Sequence, residues 1–468
     1  MRRSGDRKHE KRCSINMVLS KMRKALKRNR NVYRVYTWVK AGLPKRFYYT
    51  SAYADILSLN MRYERPEQKE AVRAILRRRL AANLRDALES VPYYRDTVKV
   101  RPVDIDESNA VAALMEFPYL HKATVMDNRE AFLNRRVKKD SLTQYTSGGS
   151  TGRGIGVWRS KAEIGTEVAF VVSEWGKLGL DWEKSRIVRI GSDANKRESE
   201  NPFTYYLNRL LISTFHLHSR WMDEIYRAII AFKPQFIWAY PSCVEVLAGY
   251  MQEQGKPRMR LKGILLSSET LLEYQHVLFK RIFDAPVSSL YGLTEQTNQA
   301  FLRETENGDG FYYRLVDTYG YSENYRDEYG NDEIVGTSYW NTTMPLIRYR
   351  TQDLGTIDEN GIIRNLHGRT QDMVVDKKGK NVPATCLNIQ QCTWDDIYIY
   401  QLVQNRVGEL IIRVVPKKSF TEAVKELILK KLRREYGEFF DMQLEVVDRI
   451  ERTKAGKRRV VISNIRQQ

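Results

Sequence analysis

The chain alternates between two hydrophobic rhythms. From Pro66 to Leu88, apolar residues fall at Ala71, Ile75, Leu80, Leu84 and Leu88. That spacing predicts a long amphipathic helix, closed by Val91-Pro92-Tyr93-Tyr94 because proline cannot continue it. After Gly156 the apolar runs shorten, and Ile187–Ile190, Phe236–Ala239 and Gly263–Ser267 read as buried strands. Helical patterns near Tyr226–Phe232 and Cys243–Gln254 lie between them. The interleaving predicts an α/β fold. From Glu333 onward strands and turns dominate, at Glu333–Trp340, Leu346–Arg350, Gly361–Leu366 and Asp372–Val375, followed by a Lys-Lys-Gly-Lys turn. This part reads as antiparallel. The C-terminal stretch then runs strand, strand, helix (Thr421–Tyr436), strand (Leu444–Val447) and a basic tail, enough for a small α+β domain.

These changes of rhythm predict three parts: a basic extension over residues 1–50, a large α/β domain over 51–367 and a small α+β domain over 368–468. The seam is expected near His367 to Asp372. With 468 residues, 42% of them hydrophobic, the chain can bury a substantial core. Cys13, Cys243, Cys386 and Cys392 are too few and scattered for a disulfide framework, which points to a reducing compartment. There is neither an apolar run long enough to span a bilayer nor a secretory signal pattern.

Charge is unevenly placed. Residues 1–48 hold sixteen Lys or Arg against Asp6 and Glu10, so +14 of the chain's +21 belongs to the leader. Within it Val18, Met22, Ala25, Leu26, Tyr33 and Tyr36 recur at helical spacing among Lys21, Lys24, Lys27, Arg28 and Arg30. A basic amphipathic helix over residues 17–40 suits an anionic membrane surface. The expectation is a cytoplasmic protein that either touches the inner membrane face through this segment or carries it as a solvated extension. Nucleic acid is not expected as a partner. Met17 is an alternative start to Met1, since the residues before it are featureless charge.

The richest candidate chemistry lies at YTSGGSTGRGIGVWRS, residues 145–160. Gly148, Gly149 and Gly152 permit positive φ and close backbone approach, while Thr146, Ser147, Ser150 and Thr151 add hydroxyl donors, a composition suited to phosphate. A Walker loop is excluded, because Gly152 is followed by Arg153 and Gly154 rather than Lys-Ser or Lys-Thr. Gly148, Ser150 and Gly152 also satisfy G-x-S-x-G, the nucleophile elbow of serine hydrolases, which requires a helix straight after the serine. The alternation Ile155, Val157 with Trp158 predicts a strand there instead, so the loop is expected inside a hairpin. A plain surface turn is the third reading.

Four downstream segments bear on the choice: SSLYGLTEQ (288–296), PLIRYRTQDLG (345–355), HGRTQDMVVDKKGKNV (367–382) and RTKAGKRRV (452–460). In this order, with TSGGSTG, they resemble the adenylate-forming superfamily of acyl-CoA synthetases, luciferases and adenylation domains. VPYYR (91–95), FPYLHKATV (117–125), KPQFIWAYPSCVEVLA (233–248) and SSET (267–270) make the branch of phenylacetate-CoA ligase and CapK-like proteins the nearest. The resemblance covers about residues 60 to 465.

The resemblance implies ATP-dependent activation of a carboxylic acid as an acyl-adenylate, release of pyrophosphate, and transfer to coenzyme A, a carrier protein or an amine, in a setting of capsule or surface-polysaccharide synthesis. By the same resemblance Thr146, Ser147, Gly148, Gly149, Ser150, Thr151 and Gly152 hold the β- and γ-phosphates. Tyr291, with Gly292, lies against adenine, Thr294 touches the α-phosphate and Glu295 holds Mg²⁺. Ser268 and Glu269 contact the nucleotide, Asp353 the ribose hydroxyls, and Arg369 the ribose-phosphate side. Lys457 bridges the substrate carboxylate and the α-phosphate. Gly379 matches the segment that swings toward the site for the second half-reaction.

Three positions depart from the pattern. Arg153 stands where a lysine is frequent, Gln352 replaces the glycine before the ribose-binding aspartate, and Gln371 replaces the Asp or Lys at the domain hinge. The two glutamines keep a second reading open, a nucleotide-binding scaffold without turnover; a serine hydrolase using Ser150 is the third. Lys454, Arg458 and Arg459 around Lys457 also fit a merely basic tail. His216 and His218, two apart, would share a face if they lay on a strand, yet no metal other than Mg²⁺ is assigned. Neither the acid nor the acceptor is legible.

Overall fold

The computed structural model describes residues 46–146, 155–197, 199–308, 310–327, 330–369, 373–383, 396–453 and 456–465. Residues 1–45 of the leader, Cys386, Cys392 and the hinge position Gln371 lie outside the described residues. A twelve-stranded sheet dominates. Its central strands, in spatial order Val287–Gly292, Gly263–Ser267, Phe236–Ala239, Ile187–Ile190 and Arg209–Ile212, are mutually parallel. Antiparallel strands extend both flanks: Phe203–Tyr206 beyond Arg209–Ile212, and six more beyond Val287–Gly292, among them Asp332–Ser338, Tyr349–Ile357 and Ile362–Arg369. The expected α/β class, with an antiparallel continuation, is the observed one.

The central strands read as unbroken apolar runs because both faces are covered. In Ile187–Ile190, Val188 and Ile190 join one core with Ile225, Ile229, Val244 and Leu247 from the helices Ser219–Phe232 and Pro241–Glu253. Ile187 faces the opposite side, where it packs with Trp175 of helix Lys161–Gly176 and with Phe236, Leu265 and Phe301. The predicted long helix spans Pro66–Ser90, starting at a proline in its first turn and stopping at an extended Val91. Its buried Leu76, Leu80, Leu84 and Leu88 pack with Phe117, Phe132, Val157 and Phe170.

A separate four-stranded sheet near the C-terminus has the order Asp441–Val446, Glu409–Pro416, Ile397–Gln404, Val461–Ser463. Helix Glu422–Tyr436 covers it with Ile428, Leu429 and Leu432. The strand Val461–Ser463 lies where the sequence pattern reads a basic tail, and it pairs in parallel with Leu402–Gln404. Upstream, a hairpin of Met373–Val375 and Asn381–Pro383 encloses the Lys-Lys-Gly-Lys turn, in which Gly379 adopts φ 79°.

The strand expected at Leu346–Arg350 begins later, at Tyr349. Leu346 and Ile347 are buried in a loop whose polar groups are met elsewhere: the Tyr94 hydroxyl donates to the Pro345 carbonyl and accepts the Ile347 amide, both at 2.9 Å. Within the strand, Gln352 sits at φ 62°, the left-handed conformation that glycine adopts freely. Glu333 makes this tolerable. Its Oε1 accepts the Gln352 amide at 2.8 Å, and its Oε2 accepts Arg350 at 2.6 and 3.0 Å, with the Glu333 side chain only 1% exposed. The turn expected of glycine is therefore kept, at a cost of about 1–2 kcal/mol for a residue bearing Cβ.

Gln352→Gly is expected to leave stability unchanged or to raise it by up to about 1 kcal/mol. Glu333→Ala, which strands Arg350, should lower it by about 3–5 kcal/mol. Thermal unfolding followed by circular dichroism reads both, and a clear loss in Gln352→Gly would show that the turn holds no strain.

Candidate active site

Five parallel strands that point the same way deliver their following residues to one edge: Gly191, Ser213, Tyr240, Ser268 and Leu293. In open α/β sheets this carboxyl edge is where ligands bind. Most of the sequence-predicted site residues that the structure describes gather there or beside it. Tyr291 and Gly292 close their strand, and Thr294 and Glu295 follow it. The Tyr291 hydroxyl donates to Asp353 Oδ2 at 3.0 Å, joining the expected adenine and ribose residues. Asp353 is 7% exposed, and its own amide is held by Thr351 Oγ1 at 3.0 Å. Arg369 is its direct partner on the neighbouring antiparallel strand.

The glycine loop is anchored at both ends by a hairpin. Thr143–Thr146 pairs antiparallel with Gly156–Arg159, placing Thr146 opposite Gly156. Ser147, Gly148, Gly149, Ser150, Thr151 and Gly152 lie outside the described residues. The chain leaves the loop into a strand, and the helix Lys161–Gly176 begins only after Ser160 has formed a capping box with Glu163. This is the hairpin expected from the sequence, not the strand-to-helix turn of a nucleophile elbow. At the exit Arg159 is buried, its guanidinium 4.7 Å from the Tyr145 ring centre and donating to the Thr294 carbonyl. Nothing in the residue pattern marks this tie.

Glu295 is 4% exposed and accepts the Tyr349 hydroxyl at 3.1 Å. Gln296 adopts φ 58°, its amide fixed to Glu167 Oε2 at 3.1 Å. Ser268 is also in the left-handed region, at φ 72°, directly after its strand. The Glu269 carboxylate accepts the Ser242 amide and hydroxyl, each at 3.1 Å, and the Arg458 amide at 2.7 Å, so it reaches the C-terminal segment as well as the strand edge.

Lys457 belongs to a tight turn in which the Thr453 amide donates to the Lys457 carbonyl at 2.9 Å and Thr453 Oγ1 accepts the Lys457 amide at 3.2 Å. The turn is seated on the strand edge. Gly456, at φ 75°, presses so closely on Thr214 and Asn195 that a Cβ there would collide with the Thr214 hydroxyl. Arg452 Nη1 donates to Ser242 Oγ and to the Gly456 carbonyl, both at 3.0 Å. Asn195, Thr214, Ser242 and Glu269 each follow a different parallel strand, so four strand ends receive the turn that carries Lys457.

Arg458, read in the sequence as part of a basic run, is buried: its guanidinium lies 3.0 Å from Glu245, with side-chain exposures of 2% and 4%. Burial works against its charge, but Glu245 and Glu269 overcome that and hold it above the ordinary arginine value. Burial also pushes the Cys243 thiol up to about 11. His216 and His218 are not on a strand. Thr214–His216 is one 3₁₀ turn and His218 precedes helix Ser219–Phe232; His216 Nε2 lies 3.0 Å from the Glu200 carbonyl. Among the described residues no group of three or more His, Cys, Asp or Glu could hold a metal.

Residues 374–464 match the family described as the CapK C-terminal domain. The chain is 23% identical over 377 residues to protein CapK of Staphylococcus aureus, spanning 76% of this chain and 81% of that protein. It is 24% identical over 343 residues to phenylacetate-coenzyme A ligase of Pseudomonas putida, spanning 69% and 75%. A crystal structure of 2-hydroxyisobutyryl-CoA ligase, in the postadenylation state in complex with R3-HIB-AMP, shares the fold with a TM-score of 0.61 at 17% identity, over 83% of this chain and 89% of that one. Fold, motifs and relatives point the same way: residues 374–464 match a CapK C-terminal domain, and over most of its length the chain is similar to CapK and phenylacetate-coenzyme A ligase and shares the fold of a CoA ligase.

Proposed function

We propose that this protein is an AMP-forming acid ligase, which activates a carboxylic acid with ATP and passes the acyl group to coenzyme A or an amine. Residues 51–367 form the adenylating domain and 368–468 its lid. One observation carries the reading: the turn bearing Lys457 is seated on the same strand edge that gathers Tyr291, Thr294, Glu295 and the buried Asp353.

A carboxylate oxygen attacks the α-phosphorus of ATP, forming the P–O bond of the acyl-adenylate while the bond to the bridging oxygen breaks and pyrophosphate leaves with its electrons. Both reactants are anions, so neutralising and aligning them supplies most of the catalysis. Lys457 provides positive charge at the α-phosphate, Arg369 on the ribose-phosphate side, and Thr294 a hydroxyl. Thr146 to Gly152 hold the leaving phosphates, Tyr291 lies against the base, Ser268 and Glu269 contact the nucleotide, and Asp353 accepts from the ribose hydroxyls. In the second step a thiol or amine attacks the acyl carbon, AMP leaves and the nucleophile's proton passes to solvent.

Mg²⁺ fits this site. Glu295 offers a hard carboxylate oxygen, the donor that magnesium prefers, just after the strand that ends at Tyr291 and Gly292. When bound it would neutralise phosphate charge, with Glu295 as its protein ligand. The capsule or surface-polysaccharide setting belongs to the same proposal and rests on the likeness to CapK. The proposed enzyme is cytoplasmic and meets anionic lipid through residues 17–40; no helix among the described residues is long and apolar enough to cross a membrane.

Pyrophosphate release measured across a panel of carboxylic acids tests the reading. For an accepted acid, Lys457→Ala should lower the rate by about 10²–10³-fold, and Glu295→Ala should raise the magnesium requirement. Nucleotide binding with no AMP formed from any acid would favour the scaffold instead, and labelling of Ser150 by a fluorophosphonate would revive the hydrolase.

A further inference from the structure

The residue after Lys457 is better buried than a basic tail allows. Glu245 lies on helix Pro241–Glu253 of the large domain and accepts Tyr274 Oη at 2.7 Å and Gln275 Nε2 at 2.8 Å. These donors are neutral. A carboxylate at 4% exposure needs a cation to offset its lost hydration, and that cation, Arg458, comes from the C-terminal segment. The Arg458 guanidinium lies 5.7 Å from the Tyr400 ring centre, and its amide donates to Glu269 at 2.7 Å. Charge and backbone of one residue are thus both gripped by the large domain. Because consecutive Cα atoms are about 3.8 Å apart, fixing Arg458 fixes the backbone of Lys457.

We propose that Glu245 and Arg458 are a positioning pair: a preformed anionic socket on the large domain that selects the arrangement in which Lys457 faces the strand edge. Its catalytic consequence rests on the acid-ligase reading, but the docking does not. Other seam contacts join the two parts without this demand for charge: Tyr398 donates to Glu253, Lys417 Nζ to Gln252 Oε1 at 3.3 Å, and Gly249 lies against the Tyr398 ring. Undocking would separate the Glu245 carboxylate from the guanidinium that meets it at 3.0 Å, so the socket biases the protein toward the docked form.

The test uses the full chain and three variants, Glu245→Gln, Arg458→Met and Arg458→Lys, each checked for native circular dichroism. Small-angle X-ray scattering reads docking without any substrate. Glu245→Gln and Arg458→Met should scatter as more extended particles, with Arg458→Lys intermediate because it keeps the charge but loses the guanidinium fork. With an accepted acid, AMP formation should fall about a hundredfold in kcat for Arg458→Met while the KM for ATP moves little. Scattering unchanged in all three variants would overturn the proposal. Extended scattering with no AMP from any acid in the wild type would uphold the socket and sink the acid-ligase reading, so the two fail separately.

Discussion

Parallel strands buried on both faces leave a protein one place to put chemistry. Their hydrogen bonds are spent on neighbours and their side chains on two cores, so only the loops at the carboxyl edge remain free to carry polar groups. In this chain five such strands end together, and the candidate site gathers at that edge and on the antiparallel strand beside it, as in the Tyr291–Asp353 contact. The C-terminal sheet uses the edge too, through Gly456, Arg452 and Arg458. The alignment of the central sheet therefore sets the site's precision.

Backbone strain gathers around the same edge. Ser268, Gln296 and Gln352 all adopt the left-handed conformation without being glycine. Such residues persist only where their surroundings over-determine them. The surroundings are visible for two: Glu167 holds the Gln296 side chain, and Glu333 holds the Gln352 amide. Gln352 thereby loses its force as an argument for a dead enzyme, since the glycine geometry survives without the glycine.

Much of the fold could be read from the residues alone, because strands covered on both faces leave an apolar signature no other element mimics at that length. Ile187–Ile190, Phe236–Ala239 and Gly263–Ser267 fall where the pattern puts them. The pattern failed where tertiary contacts redirected apolar residues. Leu346 and Ile347 looked like a strand but pack as a loop held by Tyr94, more than 250 positions away in sequence. Val461–Ser463 was hidden by the charge of the residues before it. For the site, family motifs located the residues expected to touch nucleotide, whereas Arg159, Glu245 and Arg458 lie inside the matching segments without any role that the motifs assign. A buried arginine and a solvated one look alike in sequence until the carboxylate that meets it is known, and Glu245 lies more than two hundred residues from Arg458.

The glycine-loop hairpin is asymmetric. Its entering strand, Thr143–Thr146, is largely exposed, while every residue of its leaving strand, Gly156–Arg159, is buried. A hairpin of this kind hangs from a single post, and here the post is bolted through Arg159 to the carbonyl of Thr294. The exit of the glycine loop is thereby tied to the peptide that precedes Glu295, two segments separated by more than a hundred residues of sequence but joined by one guanidinium.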